Sequence, residues 1–131
     1  MSETTRVLID VPRWSFVKRK DDGSLDFISP LPCPFNYGHV PGTRAEDGDA
    51  VDAVVLGERL ARGAHGLFAI RGKVGFLDAG VDDPKWICAP TPLSPADRRS
   101  VERFFRRYAL AKGLINRLRG KSGPTRFLGW L

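Results

Sequence analysis

The chain has 131 residues, 42% of them hydrophobic and 27% charged, an ordinary globular balance in which one core forms without disulfides or a structural metal. That balance excludes disordered and fibrous classes, and no apolar run approaches the roughly 20 residues that span a bilayer. The formal net charge is +6 and the sequence pI is near 9.8, an excess that suits a small polyanion, nucleic acid or an anionic surface.

From the N-terminus, Met1 to Arg6 is polar and has no signal-peptide core. Val7-Leu8-Ile9-Asp10-Val11 reads as a strand stopped by Pro12. Asp21-Asp22-Gly23-Ser24 is a turn signal, with a short strand expected at Leu25 to Ile28. Ser29 to Pro34 holds three prolines and is expected to be irregular. Asn36-Tyr37-Gly38 and Pro41-Gly42-Thr43 extend that loop-rich character. Further strands are expected at Asp52 to Leu56, Gly66 to Ile70, Lys73 to Leu77 and Lys85 to Ala89, the middle two joined near Arg71-Gly72. Short strands between turn signals predict a small barrel or sandwich.

A helix is predicted at about Pro95–Lys112. Ser94 suits the N-cap, Pro95 the first helical position, and Asp97 completes a near capping box. Val101, Phe104, Phe105 and Tyr108 form one apolar stripe, and Gly113 is the expected terminator. Arg98, Arg99, Arg103, Arg106 and Arg107 lie mostly off that stripe, which predicts a basic outer face. No repeat appears, and residues 1–131 read as one domain. Cys33 and Cys88 are the only cysteines; two isolated thiols suit a reducing cytoplasm rather than a disulfide framework or zinc site.

Acidic residues cluster at Glu46-Asp47-Gly48-Asp49-Ala50-Val51-Asp52 and again from Asp78 to Asp83, and Asp10 ends an apolar strand. Two unit charges about 4 Å apart cost roughly 4 kcal/mol at an effective dielectric of 20. Grouped carboxylates therefore call for a cation, and hard oxygen donors select magnesium, calcium or manganese. Read alone, Asp47-Gly48-Asp49 is more simply a solvated turn. An EF-hand loop counted from Asp47 fails, because Val51 and Asp52 stand where an oxygen ligand and a glycine are needed.

The order of these segments resembles the soluble family I inorganic pyrophosphatases. The signature Asp-x-Asp-x-x-Asp is matched by Asp47-Gly48-Asp49-Ala50-Val51-Asp52. Pro34-Phe35-Asn36-Tyr37-Gly38-His39-Val40-Pro41-Gly42-Thr43 is similar to the family's Asn-Tyr-Gly segment. Phe76-Leu77-Asp78 and Asp82-Asp83-Pro84-Lys85 resemble the second acidic segment and its lysine. Phe104-Phe105-Arg106-Arg107-Tyr108 resembles the helix with its phosphate-binding tyrosine, and Gly129-Trp130 a short C-terminal strand.

The resemblance implies a mainly β (α+β) fold, a five-stranded OB-like barrel with one packed amphipathic helix. It implies hydrolysis of pyrophosphate to two phosphates by metal-activated water, with Mg2+, or else Mn2+ or Zn2+. Asp47, Asp52, Asp78, Asp83 and Asp10 would be metal ligands, Asp10 standing where the family has a glutamate. Asp49 would deprotonate or orient the attacking water. Lys18, Tyr37, Lys85 and Tyr108 would grip phosphate oxygens. The resemblance is compatible with a homo-oligomer without fixing the oligomeric state, and the cytoplasmic location rests on the two isolated thiols.

The chain departs from the family at Lys20, where a glutamate is usual, at Ser29 (arginine), Cys33 (tyrosine) and Ala109 (lysine). Charge-assisted contacts are worth roughly 1.5–3 kcal/mol each, so these changes bear on the phosphate grip. They leave three alternatives: another phosphoanhydride as substrate, an inactive metal- or phosphate-binding relative, or a basic nucleic-acid-binding barrel. The last is disfavoured because Phe104, Phe105 and Tyr108 lie on the buried stripe rather than among the exposed arginines.

Overall fold

Alternation governs the first strand. In β1 (Glu3–Val11) the side chains of Val7, Ile9 and Val11 are buried and those between them are not, as a pleated strand with one face on a core requires. The computed structural model describes residues 3–15, 17–19, 25–28, 32–46 and 48–131, with side chains described for all of these but 17–19 and 25–28. The elements that follow are β2 (Val17–Arg19), β3 (Leu25–Ile28), β4 (Asn36–His39), β5 (Asp52–Val55), β6 (His65–Asp78), β7 (Val81–Asp82), β8 (Lys85–Cys88), α1 (Pro95–Leu118) and β9 (Arg126–Trp130).

Five strands close into a ring in the order β1-β4-β5-β8-β6, with β6 pairing back onto β1. All neighbours in the ring are antiparallel except β5 and β8. Closure pairs both edges of each of these strands, which removes the liability of an open sheet. β7 and β9 add to β6, and β2 pairs with β3 in a separate two-stranded antiparallel sheet. The architecture is the expected OB-like barrel with a packed helix.

The two faces of the ring carry separate apolar clusters. Val7, Ile9, Val40, Ala53, Val55 and Cys88 fill one. Val54, Val74, Phe76 and Ile87 belong to the other, with Val101, Phe104, Phe105 and Ala109 of the helix. Ala53 and Val55 thus face away from Val54 along β5, as strand geometry demands. Phe35 meets Phe104, and Phe76 meets Phe105, edge-on at 6.1 and 6.2 Å. Each such buried ring contributes roughly 1.5–3 kcal/mol, enough to pin the helix across the sheet.

Several sequence expectations need correction. The strands expected at Gly66 to Ile70 and Lys73 to Leu77 are one 14-residue strand. The register on β8 shifts between Ile70 and Gly72, and that bulge swaps faces: Ile70 packs with one cluster and Val74 and Phe76 with the other. Asn36-Tyr37-Gly38 is strand rather than loop. Its Gly38 is required because a Cβ there would overlap the carbonyl oxygen of Leu8 on β1.

The helix runs on to Leu118 rather than ending at Gly113. Gly113 stays helical at about 1 kcal/mol relative to alanine, packed against Thr125 of the returning chain. The stop is Gly120, with φ +75°. Gly120 N donates to Arg117 O and Lys121 N to Asn116 O, the paired bonds of a Schellman cap. At the other end the Ser94–Asp97 capping box forms as expected. The arginine face is partly docked, with the Arg98 guanidinium 4.7 Å from the Trp130 ring and Arg106 5.8 Å from Phe127. The turn at Asp21 to Ser24 lies outside the described residues.

Candidate active site

A single row across the sheet positions the site. His39 on β4 pairs with Asp52 on β5, and Asp52 pairs with Lys85 on β8. Cross-strand partners project from the same face. Tyr37 precedes His39 by two residues and therefore shares that face. The row lies at the edge of the apolar cluster beneath the helix, where Val54 and Ile87 continue the same face inward.

Polar contacts tie the row together. Lys85 Nζ donates to Asp52 Oδ2 at 2.7 Å and to Asp83 Oδ2 at 2.8 Å. Tyr37 Oη donates to the same Asp52 oxygen at 2.9 Å. The Lys85 side chain is only 2% exposed. Burial disfavours its charged form, but Asp52 and Asp83 outweigh that and hold its pKa above the ordinary lysine value. Lys85 is therefore an ammonium at every physiological pH. The Tyr37 phenol is pushed well up, by burial first and then by Asp52. Tyr108, on the helix above, is pushed up to about 12, mainly by burial, with Lys85 opposing and Asp52, Asp78 and Asp83 adding. Both phenols stay neutral O–H donors.

Asp78 and Asp83 flank a hairpin in which Asp78 pairs with Val81 and Leu77 with Asp82. Ala79 (φ 51°) and Gly80 (φ 83°) form its two-residue turn, the left-handed pair that matches strand twist. Holding Ala79 left-handed costs roughly 1–2 kcal/mol. The returning chain offsets this: Ala79 N donates to Thr125 Oγ1 at 2.9 Å and Gly80 N to Pro124 O at 2.7 Å. Asp78 Oδ1 accepts from Asn116 Nδ2 at 2.7 Å, and Asp83 N donates to Phe76 O at 2.8 Å.

Asp10 accompanies the row from β1. Its Oδ2 lies 2.7 Å from His39 Nδ1. Asp49 stands exposed on the loop between β4 and β5. That loop is closed at its base by Val40 N to Val51 O and is braced by Thr43, whose Oγ1 donates to Val40 O and accepts from Val51 N. Asp47, Lys20 and Ser29 lie outside the described residues, as does the side chain of Lys18. Cys33 and Ala109 are buried in the apolar cluster between sheet and helix.

The structure thus brings together Tyr37, Asp52, Asp83 and Lys85 by direct bonds. Tyr108 lies within electrostatic reach of them, and Asp10 and Asp78 each have a separate partner. Three residues that sequence reasoning missed hold this arrangement. His39 bonds Asp10, Asn116 bonds Asp78, and Thr125 bonds Asn116 and Ala79. Asn116 carried a signal, since it is a short polar side chain on the continuation of the apolar helix stripe. Asn36, within the matched motif, is a brace: its amide donates to Val55 O and Glu58 O and accepts from Arg13 N and Leu60 N.

In kind, the donor set fits a hard divalent cation. Carboxylates come from β1, β5 and both ends of the β6–β7 hairpin, and two of them already converge on one cationic group, the Lys85 ammonium. Among the described residues no three His, Cys, Asp or Glu side chains are grouped tightly enough to hold an ion by themselves, so the set of Asp10, Asp52, Asp78 and Asp83 is not closed within them.

Comparison with known proteins shows the family. The inorganic pyrophosphatase family model matches residues 7–122. The inorganic pyrophosphatase of Gluconobacter oxydans is 32% identical over 126 residues, covering 78% of this chain and 72% of the relative. The soluble inorganic pyrophosphatase of Oryza sativa subsp. indica is 31% identical over 121 residues, covering 77% of this chain but 56% of the relative. Against the rice protein, then, the chain spans just over half the length. In three dimensions, an inorganic pyrophosphatase from Neisseria gonorrhoeae superposes with a TM-score of 0.75 at 26% identity, over 97% of this chain and 81% of that one. The chain belongs to the family I inorganic pyrophosphatases, a metal-dependent family.

Proposed function

We propose that the protein hydrolyses inorganic pyrophosphate to two phosphates with Mg2+, Mn2+ and Zn2+ being the other candidate ions. The observation that carries this reading is the convergence of Asp52, Asp83, Tyr37 and the buried ammonium of Lys85 on one point. A bare pocket for a tetra-anion needs fixed positive charge, and a cation site needs fixed carboxylates. Here each is set against the other.

Asp52, Asp78, Asp83 and Asp10, with Asp47 by family resemblance, would hold the divalent cation. When bound, such an ion supplies charge neutralisation of the phosphoryl oxygens and a water of lowered pKa. The remaining work falls to this chain. Asp49, carried on the braced loop, orients the attacking water and takes its proton. The water oxygen forms the new P–O bond, the bridging P–O bond breaks, and the leaving phosphate departs with the bridging oxygen. Lys85 is the permanent cation beside the phosphate oxygens, and Tyr37, Tyr108 and Lys18 donate to those oxygens.

The chain lacks the family's basic residues at Ser29 and Ala109. The reading therefore includes a reduced rate. Among the described residues no helix is long and apolar enough to cross a membrane.

Phosphate release from pyrophosphate with magnesium, manganese and zinc in turn tests the reading. Turnover with at least one ion, abolished by Asp52→Asn, is the expected result. A folded protein at micromolar concentration that releases no phosphate with any of them overturns it.

A further inference from the structure

We infer that His39 is the positioning residue for Asp10, aiming a carboxylate that its own strand leaves unaimed. The β1–β4 ladder pairs Leu8 with His39 and Ile9 with Gly38, then skips to Val11 with Tyr37. Asp10 is the extra residue of a β-bulge and has no cross-strand partner there. A bulge turns a side chain away from the regular pleat, so something other than the ladder must fix where it points.

His39 is suited to that task. It sits in register on both sides, opposite Leu8 of β1 and Asp52 of β5. The close approach of Leu8 to Gly38 clamps the backbone immediately before it. Its Nδ1 lies 2.7 Å from Asp10 Oδ2, and both side chains are largely sheltered, at 30% and 17% exposure. A carboxylate can only accept, so an ionised Asp10 makes His39 Nδ1 the N–H donor and fixes the tautomer.

The same device recurs around the site. Asp52 and Asp83 are held by Lys85, and Asp78 by Asn116. Asp10 has His39. Donors of this kind, one step behind an anionic ligand set, decide whether its oxygens converge. The inference rests on the proposed function for Asp10's place in the site, but the bond itself is independent of turnover.

The test uses the full chain carrying His39→Ala, His39→Asn or His39→Gln. Asparagine sets an amide nitrogen near the Nδ1 position, whereas glutamine sets it near Nε2, so only asparagine keeps the donor to Asp10. With pyrophosphate and Mg2+, Ala and Gln are expected to lower kcat roughly 10–100-fold with KM little changed, and Asn to restore most of it. Equal activity of Ala and wild type, or equal loss in Ala and Asn, overturns the inference.

Nitrogen-detected NMR of the imidazole provides a readout free of catalysis. Wild type should show the Nδ1–H tautomer, and Asp10→Ala should lose it. An Nε2–H tautomer in wild type overturns the inference even if the enzyme is active. A wild type that shows Nδ1–H but hydrolyses no pyrophosphate overturns the proposed function while leaving the pair intact.

Discussion

Lys85 Nζ stands 2.7 Å from Asp52 Oδ2 in the face beneath the helix, its side chain almost wholly enclosed. The contact has a second arm to Asp83 at 2.8 Å, so one ammonium separates two carboxylates. Removing one partner of a buried ion pair costs roughly 3–5 kcal/mol because the other charge stays uncompensated. Asp52 keeps some solvent, which places Lys85→Met at the low end, about 3 kcal/mol. Urea unfolding with a chelator measures this. Added Mg2+ should recover part of the loss, since an ion that binds only the folded state stabilises it by mass action. Unchanged stability in Lys85→Met would mean that water, not the lysine, solvates the two carboxylates.

Asn36 is fully buried and uses all its amide bonding capacity on four backbone groups, from Arg13 and Leu60 as donors to Val55 and Glu58 as acceptors. Asn36→Ala strands those groups. Each buried orphan costs roughly 1–3 kcal/mol, and partial hydration lowers the total, so a loss of at least about 3 kcal/mol is expected. Calorimetry should show a midpoint lower by ten degrees or more. A shift of only a few degrees would show that the segments around Arg13 and Glu58 find other partners.

The acidic residues were legible from sequence because their chemistry is local and their order distinctive. The strand Asn36–His39 was not, since asparagine and glycine on either side of one tyrosine favour turns and pairing on both edges makes them extended. Gly113 is the helix stop the sequence suggests, and Gly120 is the one the fold uses. The choice fell to docking, because the chain returning through Thr125 packs over Gly113 and makes the six further helical residues from Gly113 to Leu118 worth forming. The partners of His39 and Asn116 were hidden for a different reason. One depends on a bulge in a neighbouring strand and the other on a hairpin meeting a helix, and neither juxtaposition is written in spacing along the chain.

Asn116 donates to Asp78 and Thr125, yet its own Oδ1 is buried without a partner among the described residues. Asn116→Leu removes that orphan together with the two bonds. These effects oppose each other, so stability should stay within about 1 kcal/mol of wild type. Asp78, released from its donor, should bind cations more weakly, and the Mg2+ concentration for half-maximal activity should rise roughly 10–100-fold. Parallel urea and magnesium titrations separate the two quantities. An unshifted magnesium titration would show that Asp78 is aimed by the hairpin alone.

Alkali should unfold the protein earlier than its basic composition suggests. Burial pushes the Cys88 thiol from 9.0 up to about 11 and the Cys33 thiol from 9.0 up to about 12. Burial also raises Tyr37 and brings Tyr108 from 10.0 up to about 12. From about pH 9 the unfolded chain releases thiol protons that the folded chain keeps, so it binds fewer protons and stability falls with pH. From about pH 10 the phenols add to the slope. Lys85 acts in the same direction, because its raised pKa gives stability that is fully present below 10.5 and is lost as the pH climbs through the folded value. Each group titrating only in the unfolded state steepens the fall by about 1.4 kcal/mol per pH unit. Urea midpoints from pH 8 to 11 should decline with a slope that increases past pH 10. Cys33→Ala should flatten the segment between pH 9 and 10, whatever its cavity does to absolute stability, because a cavity lowers the curve without tilting it. A curve that stays level to pH 11 would mean that these thiols and phenols reach solvent and titrate in the folded state as they do in the unfolded one.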